Sequence, residues 1–74
     1  MKLFQSKSIH KAMIVLKHVA LVYPCSLPAH RVDRDVWPSI SVTVIGEKTS
    51  LHYEDEEVRD QDYNDLIKAL EELN

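Results

Sequence analysis

The sequence predicts a small α+β domain, and three patterns predict it. Apolar and polar residues alternate on both sides of the only glycine, an apolar stripe at helical spacing closes the chain, and a second such stripe lies near the N-terminus. The expected architecture is a small antiparallel sheet built on a hairpin (about 40–45 and 48–54). It packs against an N-terminal helix (about 8–22) and a C-terminal helix (about 61–73), all in one domain spanning residues 1–74.

The N-terminal helix rests on Ile9, Met13, Leu16, Ala20 and Tyr23, which recur at steps of four and three, with His10, Lys11, Lys17 and His18 opposite them. Ser8 suits the N-cap, and Pro24 forces its predecessor out of helical geometry. The segment is also rich in β-branched residues, so a strand over Met13–Tyr23 is the competing reading. Residues 24–38 hold all three prolines and read as a connection; residues 2–5 or 31–36 could add a strand to the sheet.

In the hairpin, a two-residue II′ turn on Gly46 and Glu47 would pair Val44 with Thr49, Val42 with Leu51 and Ile40 with Tyr53. Ile40, Val42, Val44, Leu51 and Tyr53 then share an apolar face, and Ser41, Thr43, Ser50 and His52 the polar one. Tyr63, Leu66, Ile67, Leu70 and Leu73 form the stripe of the last helix, with Asp60 or Asp62 as its cap.

Composition narrows the function. With 74 residues, 45% hydrophobic and 28% charged, the chain holds too little glycine and proline for disorder and is too short for a deep core, so a further strand, two packed helices or a partner chain, whether the second copy of a homodimer or an obligate partner, must complete it. Cys25 is alone and cannot close an intramolecular disulfide, and Lys17 and His18 interrupt the only long apolar run. A cytoplasmic protein without a membrane span is therefore expected.

Charge divides unevenly. Residues 1–34 carry six basic residues against one acid, and residues 35–74 carry three against eleven, within a formal net charge of −3. The acidic stretch Glu54, Asp55, Glu56, Glu57, Asp60 and Asp62 suits a partner protein with a basic surface, or a mimic of nucleic-acid phosphates over residues 54–65. Trp37, with Arg31 and Arg34 close in sequence, is of the type that anchors interfaces. Direct nucleic-acid binding would have to use Lys7, Lys11 and Lys17, and the overall acidity opposes it.

No chemistry-bearing motif is complete. Residues 60–71 match several EF-hand positions, but Asp65 stands where that loop needs glycine and no exiting helix follows. His10, His18, His30, His52 and Cys25 fit no zinc spacing, and the one glycine is used in the turn, leaving none for a phosphate or oxyanion loop. The expectation is a non-catalytic protein-binding module, a small regulator, inhibitor or complex subunit, with no cofactor and no metal.

Overall fold

A computed structural model describes residues 2–29 and 31–73. In chain order the elements are β1 (Leu3–Gln5), β2 (Met13–Val15), a single 3-10 turn (Leu16–His18), β3 (Val19–Pro28), β4 (Val36–Val44), β5 (Glu47–His52) and α1 (Glu56–Glu71). β1 and β2 form a two-stranded antiparallel hairpin, and β3, β4 and β5 a three-stranded antiparallel meander with β4 central. The α+β class and the C-terminal helix on a hairpin-based sheet stand.

The N-terminal helix over 8–22 does not form. The supposed helical stripe is not a buried face, since Ile9 and Met13 are exposed while Ile14 and Leu16, two apart, are buried. Period two wins because Ile14, Val15, Val19 and Val22 favour extended backbone and because β4 offers β3 a partner along its whole length. Half of the supposed connection is also strand, leaving only residues 29–35 to join β3 to β4; the short strand considered for 31–36 is absent. The strand at the N-terminus exists, but it pairs with β2 and not with the meander.

The hairpin turn falls on Ile45 and Gly46, with φ of 49° and 78°, so both central residues are left-handed and the turn is type I′ instead of II′. Val44 therefore pairs with Glu47, Val42 with Thr49 and Ile40 with Leu51, a register two residues from the expected one. A shift of two leaves every side chain on its predicted face, where a shift of one would have inverted them all.

Prolines sit where a strand tolerates them. The pair closing a two-residue hairpin exchanges both backbone bonds, so alternation along β4 turns Val44, Val42 and Ile40 toward β5 and Thr43, Ser41, Ser39 and Trp37 toward β3. On β3 the outward-facing positions are then Val22, Pro24, Ser26 and Pro28, and two of these four have no N–H to leave unpaired. Pro38 lies opposite Tyr53, beyond the end of β5. Tyr53 N–H donates to Pro38 O at 2.8 Å, and Tyr53 O, which no proline N–H can reach, accepts from Arg34 Nη1 at 3.5 Å.

The core comprises Ile14, Leu16, Ile40, Val42, Leu51, Tyr53 and Leu66, with Val19, Val22, Val58, Tyr63 and Leu70 packed around it. Helix α1 begins five residues earlier than expected, at Glu56, with Asp55 at the N-cap in place of Asp60 or Asp62. The acidic stretch is thus wound into the helix, where Glu56 and Glu57 meet the positive end of its dipole. Both α1 and the β1–β2 hairpin pack on the apolar face of the meander, and no helix or strand among the described residues covers the other face.

Candidate functional site

The open face of the meander carries Leu21, Tyr23, Cys25 and Leu27 from β3, Trp37, Ser39, Ser41 and Thr43 from β4, and Lys48, Ser50 and His52 from β5. Not one of these side chains is a carboxylate. Leu21 is 55% exposed, whereas Ser39 and Ser41, at the centre of a face that no other element covers, are 0% and 1% exposed. Their larger neighbours therefore lie down over them: Trp37 and His52 flank Ser39, whose Oγ donates to Trp37 O at 3.0 Å and meets His52 Nδ1 at 3.1 Å. Ser41 lies between Tyr23 and Ser50.

Trp37 is the focus of this face. The Arg34 guanidinium stacks 4.4 Å from its ring centroid, the Arg31 guanidinium lies 5.2 Å away, and the His52 ring is 6.1 Å off, tilted by 38°. Arg34 is fixed in turn by Glu54, donating to its backbone O at 3.0 Å and its Oε2 at 3.2 Å; Arg31 pairs with Asp33 at 2.8 Å. Short connections do this positioning: the 29–35 loop returns the arginines over β4, held by Ala29 N–H donating to Asp35 O at 2.9 Å. At the other end of the face, Lys48 Nζ lies 5.4 Å from the Tyr23 ring centroid. The neighbouring Lys48 ammonium, with a smaller contribution from Ser41, lowers the Tyr23 phenol from its ordinary value, and the same contact raises Lys48.

Of the residues singled out by sequence, Arg31, Arg34, Trp37 and Glu54 come together in one cluster. Glu56 and Asp60 gather around Arg59, at 3.3 Å and 2.7 Å, while remaining largely exposed themselves. Asp55 and Glu57 are exposed on the first turn of α1, so Glu54, Asp55, Glu56, Glu57 and Asp60 form an acidic rim at the end of the molecule that bears Trp37. Asp62 does not belong to it. At 1% exposure it lies under the sheet, where Oδ2 accepts from Tyr53 Oη at 2.6 Å and from Lys7 N–H at 2.8 Å. Burial, then the bond to Asp62, pushes the Tyr53 phenol well above its usual range.

The structure also separates candidates. Lys7 and Lys11 lie in the β1–β2 loop and Lys17 in the 3-10 turn, so they share no helix face of the kind proposed for nucleic-acid contact. The EF-hand-like run 60–71 lies within a continuous helix. Among the described residues no three His, Cys, Asp or Glu side chains are grouped to hold a metal ion; His30, one of the histidines weighed for zinc from the sequence, lies outside them.

No protein-family model, curated protein or solved structure matches this chain.

Sequence reasoning missed Arg59, Tyr23 and His52. Arg59 is nearly buried, and its Nη1 donates to Cys25 O at 2.9 Å and Ser39 O at 3.5 Å, tying α1 to the β3–β4 ladder. The available signal for Arg59 was a lone cation amid carboxylates on the helix's apolar side. For Tyr23 it was the alternation Leu21, Tyr23, Cys25, Leu27, legible once the segment is read as a strand.

Proposed function

We propose that the chain is a non-catalytic protein-binding module that docks through the open sheet face, with Trp37 as anchor and the acids of α1 as rim. The observation that supports this reading is Trp37 with two guanidiniums over its ring, at 4.4 Å and 5.2 Å from the centroid, on a face that no helix or strand among the described residues covers. A rigid, partly desolvated aromatic ringed by charged residues is the anatomy of an interface hot spot, and its ordering entropy is already spent in the free protein. The surrounding charges are paired, with Arg31, Asp33 and Glu54 exposed and Arg34 half-buried, so they contribute register and association rate more than affinity.

The immobilised wild-type chain and its Trp37→Ala variant, both checked for fold by circular dichroism, test the proposal in an affinity capture quantified by mass spectrometry. A partner retained by wild type is expected to be depleted at least tenfold by Trp37→Ala, and more modestly by charge reversal of Glu54, Asp55, Glu56 and Glu57. Equal retention by wild type and Trp37→Ala would remove the face from consideration.

A second reading has its own observation. Tyr23, Trp37 and His52 with nearby Lys48, Arg31 and Arg34, on a face whose strand residues include no carboxylate, also suit single-stranded nucleic acid, whose bases stack on aromatic rings. Fluorescence anisotropy with a labelled oligonucleotide at low salt separates the two. Binding lost in Trp37→Ala would favour the strand, and no binding at tens of micromolar would leave the protein partner.

A further inference from the structure

The apolar face of the meander is itself only partly covered, and the gap lies beside β2. A cavity of about 490 Å³ opens there, floored by Val42, Val44 and Leu51, with Glu47 at the end nearest the hairpin turn. Its wall is Ala12, Met13, Ile14 and Val15. Four consecutive residues line a cavity when a strand meets it edge-on, because one face of a strand would offer only alternate residues. That edge faces away from β1. Ser6 N–H donates to Ala12 O at 2.9 Å and Leu16 N–H to Lys2 O at 3.2 Å, so Ala12, Ile14 and Leu16 direct their backbone groups to β1, and Met13 and Val15 turn theirs into the cavity. Among the described residues no strand takes them up. Two strands make a marginal sheet, and this one stops beside an apolar floor with room for a third.

We propose that this cavity receives an extended segment of another protein, which adds a strand to β2 and lays alternate side chains on the floor. Strand addition draws affinity from main-chain bonds and selectivity from the pockets that alternate side chains enter. Both parts are present: the outward N–H and C=O groups of Met13 and Val15 supply the bonds, and the floor is apolar. Ile14 sets the direction of the side chains. It is buried toward the meander while Met13 is exposed, so the added residue beside Ile14 also points inward and meets Val42, Val44 and Leu51. The volume falls in the range of ligand pockets, about 300–1,000 Å³, and suits apolar residues at the inward positions. Glu47 sets the charge. It is the only ionisable side chain lining the cavity and has no ion-pair partner among the described residues, so the segment carries Lys or Arg where it reaches the hairpin turn. This surface lies on the opposite side of the meander from Trp37 and does not depend on that site.

Nuclear magnetic resonance of the isotope-labelled chain tests the proposal with capped seven-residue peptides that alternate valine and threonine, a lysine replacing the first or the last valine. Titration is expected to shift the amides of Met13 and Val15 and the methyls of Val44 and Leu51, and to slow exchange of those two amides at least tenfold at saturation. The Trp37 indole is expected to stay in place. N-methylation of one alternate set of peptide amides is expected to abolish binding and of the other set to be tolerated, since an added strand turns only every second residue's amide toward β2. Glu47→Lys is expected to weaken the lysine peptides about two- to fivefold and to favour glutamate versions by a similar factor, as an exposed ion pair allows. Absence of shifts at millimolar peptide, equal effects of the two methylation sets, or shifts confined to Lys48 and Ser50 on the β5 edge would overturn the inference.

Discussion

Ile45 is the residue most at odds with its own conformation. A β-branched side chain at φ 49° is held there by the I′ turn, and with 72% of it exposed, little packing offsets the strain. The left-handed region costs an L-residue about 1–2 kcal/mol, so Ile45→Asn, which supplies the Asn-Gly pair this turn prefers, is expected to stabilise the fold by about 1 kcal/mol in urea titration. Tyr53 is the opposite case, wholly buried and bonded to a buried carboxylate. Its phenol is raised in the folded state, so the stability it contributes is complete below the unfolded value near 10 and is lost as pH climbs beyond it. A spectroscopic titration of the tyrosines should show Tyr23 ionising early and Tyr53 only as the protein unfolds in alkali. Tyr53→Phe leaves Asp62 with one donor fewer and is expected to cost about 1–3 kcal/mol.

Among the elements, the long β3 strand and the helix decide the architecture. Leu66, fully buried between α1 and the sheet, is expected to cost about 2–5 kcal/mol on truncation to alanine, which chemical denaturation would measure. Helix content is a direct check on the N-terminal segment. The 16 residues of α1 are about a fifth of the chain, and circular dichroism should report that fraction; a helix over 8–22 as well would nearly double it. The elements also show what the sequence made legible. Both faces of the hairpin and the apolar stripe of α1 could be read because each has one buried and one solvated side, so composition tracks geometry. The turn type could not, since it depends on strain accepted at Ile45, and neither could β3, whose Val19 and Val22 fit helical and strand spacing alike until β4 supplies a partner. The site was half legible: Trp37, Arg31, Arg34 and Glu54 meet as neighbours, whereas Asp62 is drawn inward by Tyr53, a contact between groups nine residues apart that no local pattern announces.

At the scale of the whole molecule, a thin, elongated body of 42 × 24 × 17 Å separates two surfaces. One side of the meander is covered by α1 and the β1–β2 hairpin; the other presents aromatic rings and cations, and its strand residues include no carboxylate. The uneven charge of the sequence becomes a spatial arrangement: cations over the open face, and carboxylates along the first turns of the helix behind it. The two meet where Arg34 bridges Trp37 to Glu54. A partner centred on Trp37 would touch both.

Trp37 is the only tryptophan, so its fluorescence reports the proposed anchor without a label. Acrylamide quenching of Trp37, measured for the free chain and for its complex with the captured partner, tests the central claim most directly. The quenching constant is expected to fall severalfold in the complex as the ring is covered. A formed complex in which Trp37 is quenched as readily as in the free chain would contradict it.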